Sequence, residues 1–264
     1  MKNLSEWKAT KIQLRDGEFF VNPSGMASGS LYITLEAFRV INSCKPYLHG
    51  HLVDLGCGNV PYYEWYKDRV DKITCVDWQG SLHAAKHIDL FADLNKALPL
   101  EDNSVNCVFS TSVLEHISEP QIFFQEIKRI LATDGYLILS VPFMYHLHEE
   151  PFDYYRYTSH GLKHLGEKAG LKMVDIKHYG SALGVLVDVS SKTVEVILHF
   201  ICKFLPKYIA ALVQRLVNRL LRLFQQICYS ILKHKSILEF LEKSGLANRI
   251  PQGYIAVFTV NRGV

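Results

Sequence analysis

An apolar run that ends in an acid and then opens into two glycines one residue apart, HLVDLGCGNV at His51 to Val60, constrains this chain more than any other stretch. Val53 and Leu55 flank Asp54 as in a buried strand. The Gly56-Cys57-Gly58 turn removes side chains where a nucleotide-like ligand needs to approach the backbone. A plain tight turn looks the same, so the downstream segments decide between the two. A second apolar run, Ile73 to Asp77, ends in an acid 21 residues after Gly56. One βα unit separates a glycine turn from a ribose-gripping carboxylate by about that distance. Asp77 either accepts ribose hydroxyls or ends its strand as a solvated acid, and Trp78 either lies against a purine or simply packs.

The rest of the chain alternates strand and helix. A helix is expected from Tyr62 to Arg69 and a short strand at His87 to Leu90, before Ala92-Asp93-Leu94. Val105 to Phe109 reads as a buried strand with Ser110-Thr111-Ser112 at its carboxyl end, where open α/β sheets place ligands. Ser118 with Gln121 reads as a capping box for a helix Glu119 to Leu131. A strand Tyr136 to Val141, a helix Thr158 to Ala169 and strands Met173 to Tyr179 and Gly253 to Val260 complete the pattern. Such alternation means a mostly parallel sheet covered by helices on both faces. Ahead of it, residues 1-28 read as a lead-in that folds over a site or stays disordered, and Ser30 to Cys44 as a loosely amphipathic helix stopped by Pro46.

The formal charge of the 264-residue chain is only +3, which does not favour nucleic acid as a partner. Its distribution says more, because residues 182-250 hold ten Lys/Arg against four Asp/Glu. The six cysteines form no CxxC pair and sit mostly in apolar runs, as reduced packed thiols do. With no export-type leader and no 18-residue apolar run, the expectation is a cytoplasmic protein.

VDLGCGNVPYYEWY, then CVDW, then ADLNKALPLEDNSVNCVFSTSVLEHI, then EIKRILATDGYLILSVPF together resemble the class I S-adenosylmethionine-dependent methyltransferases, in the type 11 branch. The resemblance covers roughly Leu52 to Leu171 and resumes at the last strand. It implies a Rossmann-like seven-stranded sheet whose final strand is antiparallel and inserted beside the sixth, with S-adenosylmethionine as cofactor. It also implies that Gly56 and Gly58, with Cys57 between them, lie under the methionine part, that Asp54 fixes the loop and amino group, and that Asp77 takes the ribose hydroxyls. Asp93 and Leu94 then meet the adenine edge, and Ser110 and Thr111 the methionine end. The family's third glycine is Val60 here, followed by Pro61, which stiffens the loop. A nicotinamide dehydrogenase shares the strand-end acid, but its G-x-G-x-x-G places glycine where Pro61 stands. A catalytically silent subunit of the same fold is the remaining alternative.

In this layout the stretch after the fifth strand faces the transferred methyl, and it reads VPFMYHLHEEPFDYYRYTSHGL. His148 is the candidate base, with Asp153 or Glu149 orienting it or the substrate, and His146, Arg156 and Tyr157 are candidate acceptor contacts. Alternatively Asp153, Arg156 and Thr158 brace the loop and cap the next helix. His146, His148 and Glu149 permit a metal, but their spacing fixes no third ligand and none is assigned. The Glu115-His116 pair in VLEHI resembles a carboxylate-imidazole pair of some quinone methyltransferase relatives, although packing at a helix start is the commoner role.

The basic insertion divides the chain into a lead-in and helix (1-50), a methyltransferase core (51-181), helices (182-250) and a final core strand (251-264). From Val185 to Leu205, Asp188, Lys192, Glu195, His199 and Lys203 make one polar stripe on an otherwise apolar helix that Pro206 breaks. Arg215, Asn218, Arg219, Arg222 and Gln226 repeat that stripe on a second helix from Tyr208 to Leu232, and Ser236 with Glu239 is expected to cap a third, Ile237 to Lys243. Residues 185-233 suit a membrane interface, packing on the core, or a homodimer. A membrane surface implies a lipid-linked acceptor, and the resemblance extends to enzymes of bacterial surface-polysaccharide pathways. A small-molecule, glycan or lipid-linked hydroxyl, or alternatively a quinone, is then the expected acceptor.

Overall fold

A computed structural model describes residues 11–23, 30–80 and 87–260. In chain order it contains β1 (Ile12–Arg15), β2 (Glu18–Val21), α1 (Leu31–Ile41), β3 (His51–Leu55), α2 (Tyr63–Tyr66), β4 (Lys72–Asp77), β5 (Leu90–Phe91) and β6 (Val105–Thr111). It continues with α3 (Pro120–Ile130), β7 (Leu131–Pro142), α4 (Ser159–Lys168), β8 (Leu171–Tyr179), α5 (Ala182–Cys202), α6 (Lys207–Leu232), α7 (Lys235–Lys243) and β9 (Gly253–Val260).

Seven strands form one sheet in the order β5-β4-β3-β6-β7-β9-β8. Every pairing is parallel except those of β9, which runs antiparallel to both β7 and β8. Strands this apolar on both faces need helices on both, and two buried clusters supply them. One joins Val53, Val108 and Leu139 to Phe123, Phe124 and Ile127 of α3. The other joins Leu52, Phe109 and Ile138 to α1 and to the Tyr62–Tyr66 segment. The order reverses at β3, whose partners are β4 and β6, so the crevice at the carboxyl ends of these strands is the natural ligand site.

Several local expectations are corrected. The part of the lead-in that is described is a β1-β2 hairpin, with Ile12 fully buried and its N–H donating to Pro61 O at 3.1 Å; residues 1–10 and 24–28 lie outside the described residues. Pro46 does not stop the helix after Ser30 abruptly; it sits inside a 3-10 turn, Asn42–Tyr47, that continues α1. The helix expected from Tyr62 to Arg69 shrinks to Tyr63–Tyr66, and the strand expected from His87 shifts to Leu90–Phe91. Ser118 caps nothing, because its hydroxyl donates to Asn95 Oδ1 at 3.0 Å and Glu119 is the N-cap of α3. Ser236 lies inside α7, whose N-cap is His234. Thr158 does cap α4, accepting from Gly161 N at 3.0 Å. All six cysteines are free thiols.

Candidate active site

The glycine turn is built by backbone geometry that few residues adopt. Gly56 and Gly58 have φ of 70° and 49°, and a Cβ on Gly56 would stand 2.3 Å from the Val113 side chain. Val60 has φ of 50° although it is β-branched and fully buried, so the position where glycine was expected keeps glycine's conformation. The N–H groups of Gly56 and Cys57 donate to Val76 O at 2.9 and 3.1 Å. Gly58 N–H donates to Asp77 Oδ2 and Trp78 N–H to Asp77 Oδ1, both at 2.8 Å. Asp77 thus closes the loop and still has acceptor capacity, since a carboxylate offers about four lone-pair sites. This cradle of bare backbone beside a strand-end acid fits an adenosyl ligand with a ribose diol.

The other expected cofactor contacts gather at the same edge. Asp54 is buried and accepts from Tyr66 Oη–H at 2.7 Å, which ties the turn to the aromatic segment behind it. Ser110 donates to Leu55 O at 3.1 Å, joining the ends of β6 and β3, with Thr111 half-buried beside it. Ala92 N–H reaches Asp77 O at 3.0 Å, which sets Asp93 and the buried Leu94 next to β4. Asp93 sits below the usual carboxylate range, chiefly through the Asn95 N–H it accepts at 3.0 Å. Cys57 differs from the others in that its thiol turns inward, where contact with Cys75 and burial raise its pKa. Trp78 is 42% exposed, and its ring meets Phe152 edge-on at 5.4 Å between centroids.

Phe152 belongs to the loop after β7, which folds back over β6. Asp153 is its hub. One carboxylate oxygen accepts from Arg156 at 2.6 Å, and the other accepts from Arg156 at 2.8 Å and from His148 N–H at 2.9 Å. Burial pulls the Asp153 pKa up, but these hydrogen bonds outweigh it and hold the carboxyl well below its usual range. Arg156 also donates to Tyr145 O and His146 O, and the buried Tyr157 donates to Leu114 O at 3.2 Å. Arg156 and Tyr157 therefore brace the loop. Glu149 is exposed, while burial, then Lys192 and His148, lower His146 to about 4.

The His148 ring, expected to work with Asp153 or Glu149, lies beside Asp153 and also meets a residue 33 positions away. Its Nδ1 lies 3.3 Å from Asp153 Oδ2, and its Nε2 lies 3.8 Å from Glu115 Oε1. Glu115 is fully buried, and burial pushes its pKa up to about 8. His116 Nε2 stands 3.8 Å from the same oxygen, with its Nδ1 2.9 Å from Phe152 O. The pair is visible in VLEHI, where packing is the favoured role; what sequence reasoning missed is that His148 joins the pair.

A cavity of about 510 Å³ lies apart from this centre, between α1, the end of β8 and α7.

Residues 53–139 match the model of the methyltransferase domain in the type 11 branch, a span that contains the glycine turn, Asp77, Asp93 and Ser110. The chain carries a class I S-adenosylmethionine-dependent methyltransferase domain. S-adenosylmethionine is the cofactor of this methyltransferase. No curated protein matches the sequence. Among solved structures, the fold is similar to that of the [4+2]-cyclase SpnF, with 15% identity over 87% of this chain and 82% of that one and a TM-score of 0.52. A protein from Galdieria sulphuraria described as a sarcosine dimethylglycine methyltransferase is similar over 98% of this chain and 96% of its own, at 14% identity and a TM-score of 0.52. An S-adenosylmethionine-dependent methyltransferase from Archaeoglobus fulgidus gives 13% identity, 86% and 98% coverage, and a TM-score of 0.50. At these identities the likeness is one of fold.

Proposed function

We propose that this methyltransferase methylates a hydroxyl oxygen of an acceptor anchored at a membrane surface, a lipid-linked glycan or another lipid-linked alcohol. The observation that carries the reading is the exposed apolar face of the insertion. On α5 and α6 the residues turned toward the rest of the protein include Asp188, Ser191 and Gln225, all buried. Those left outside include Leu186, Phe204, Leu216 and Leu220, each more than half exposed. Lys203, Lys207, Arg215 and Arg219 are exposed among them. A broad apolar face edged by cations suits the boundary between anionic headgroups and acyl chains. Among the described residues no helix is long and apolar enough to cross a membrane, so the contact is interfacial.

The inner side of the same helices faces the active-site loop. Lys192 and Glu195 of α5 lie close enough to His146 of that loop to act on it electrostatically. Asp77 takes the ribose hydroxyls, the Gly56–Gly58 backbone underlies the methionine part, and Asp93 with Leu94 meets the adenine edge. When bound, the cofactor supplies an electrophilic methyl on a sulfonium. The chain's own task is to align the acceptor oxygen with it and exclude water, and alignment of this kind supplies roughly 7–11 kcal/mol.

Calorimetric titration with S-adenosylhomocysteine tests the first half. Micromolar binding is expected, weakened about a hundredfold in Asp77→Ala; equal affinity in that variant removes Asp77 from the ribose. Flotation with anionic vesicles tests the second half. The wild-type protein is expected to float, and Leu216→Ser/Leu220→Ser to stay behind with cofactor affinity unchanged. Equal flotation of both rejects the interfacial insertion.

A further inference from the structure

The loop after β7 and the turn after β6 bring together a group of side chains that the cofactor site does not use. One ligand atom from each of Glu115, His116 and His148 lies within 4.8 Å of the other two. Neither Glu115 oxygen has a hydrogen-bond partner, although the residue is fully buried. At 3.8 Å from either imidazole, Glu115 Oε1 is too far for a hydrogen bond, so the three groups converge without bonding to one another. Orphaned buried carboxylate oxygens call for an explanation.

Both imidazoles are oriented from behind. His116 Nδ1 lies 2.9 Å from Phe152 O, an acceptor only, so that nitrogen carries the proton and Nε2 has its lone pair free. His148 Nδ1 lies 3.3 Å from Asp153 Oδ2 without a hydrogen bond between them, so the carboxylate faces that side of the ring while leaving its tautomer open. Asp153 is fixed in turn by the paired hydrogen bonds of Arg156. Carboxylate or carbonyl behind Nδ1 and a free Nε2 in front is the arrangement of metal-ligating histidines. Ligands about 2.1 Å from a tetrahedral ion stand about 3.4 Å apart, so to close around one the two 3.8 Å separations must shorten by about 0.4 Å and the widest in the group by up to about 1.4 Å, within reach of ring rotation.

We infer that Glu115, His116 and His148 form a site for one divalent transition-metal cation at the acceptor side of the methyltransferase centre. Two imidazoles and one carboxylate suit zinc and its first-row neighbours and leave a coordination position open. Val113, two residues before Glu115, packs against Gly56, so the turn that carries the group borders the cofactor cradle. Held there by Glu115, His116 and His148, a cation would supply Lewis-acid chemistry, lowering the pKa of an acceptor hydroxyl. This use of the site rests on the proposed hydroxyl transfer, whereas cation binding does not.

The test is calorimetric titration of metal-stripped, untagged full-length protein with Zn²⁺, together with the visible absorption of Co²⁺ added to the same protein. One equivalent of Zn²⁺ is expected to bind, and Co²⁺ to show the intense bands of a low-coordinate site. Glu115→Gln and His148→Gln should each lose at least tenfold in Zn²⁺ affinity, and Asp153→Asn about ten- to a hundredfold through its hold on the His148 ring. Far-ultraviolet dichroism checks that each variant is folded, and the partly exposed His148 provides a variant that leaves the buried carboxyl intact. Absence of saturable Zn²⁺ binding, or affinity unchanged in Glu115→Gln and His148→Gln, overturns the site. S-adenosylhomocysteine affinity, measured on the same samples, separates the two readings. Zinc binding without nucleoside binding supports the metal site and removes the transfer reading.

Discussion

The sheet and the insertion use apolar residues in opposite ways. In the sheet, Phe109 is fully buried and is met by the rings of Tyr62, Trp65 and Tyr66 at 5.3, 5.6 and 5.7 Å. In the insertion, buried apolar residues such as Val187, Leu198 and Leu221 are joined at the core by buried polar groups. Tyr32 N–H donates to Gln225 Oε1 at 3.0 Å, and Gln252 Nε2 donates to Asp188 Oδ2, while Leu220 and Leu223 stand outside. The hydrophobic effect therefore holds the sheet together, whereas folding of this chain does not consume the outer surface of α5 and α6.

The largest effect that would separate the two regions comes from matched truncations. Phe109→Ala should cost about 3–5 kcal/mol, because it empties a packed site between β6 and the aromatic segment. Leu220→Ala should stay within about 0.5 kcal/mol. Urea denaturation of both variants measures the difference, and a comparable loss at Leu220 would show that the outer face is packed after all.

Next in size is the polar joint. Burial raises the Asp188 carboxyl well above its ordinary range, and the hydrogen bond from Gln252 opposes this only in part. A raised pKa in the folded state means that folding takes up a proton at pH values where the unfolded chain has lost it. This contribution to stability is complete below the unfolded pKa of about 3.9 and declines as pH rises through the folded value. Asp188→Asn stays neutral and keeps an oxygen for Gln252, so its melting temperature should fall less than that of the wild type between pH 4 and neutrality. Parallel slopes for the two proteins would mean that the joint tolerates the charge.

Strands β3, β4, β6 and β7 were legible because each is an unbroken apolar run, and the alternation with helices implied their parallel order. The caps were less so. Ser118 had a local signature, but Asn95, 23 residues away, captures its hydroxyl. The two stripes of the insertion were legible as well, yet the sequence left open which side meets the core, since Gln252 and Tyr32 decide it from distant positions. Glu115 and His148 meet for a similar reason. The β6-β7 register, in which Thr111 pairs with Ser140, sets the turn after one strand against the loop after the other. Asp153 and Arg156 then fold that loop back. No spacing within either segment encodes the encounter.

The smallest effect concerns the one place where the sheet itself departs from its simplest sequence. Val60 holds a left-handed φ of 50° while fully buried, so its packing and its backbone strain oppose each other. Relief of strain at such a residue is worth about 1–3 kcal/mol, against about 1.5–3 kcal/mol for the buried side chain and about 0.5–1 kcal/mol for glycine's flexibility. Val60→Gly should therefore cost only about 1 kcal/mol. Val53→Gly, in β3 with no strain to release, should cost about 3 kcal/mol. Chemical denaturation of both variants provides the comparison. Equal losses would mean that Val60 is held without strain, and that the turn accepts a β-branched residue as readily as the glycine expected there.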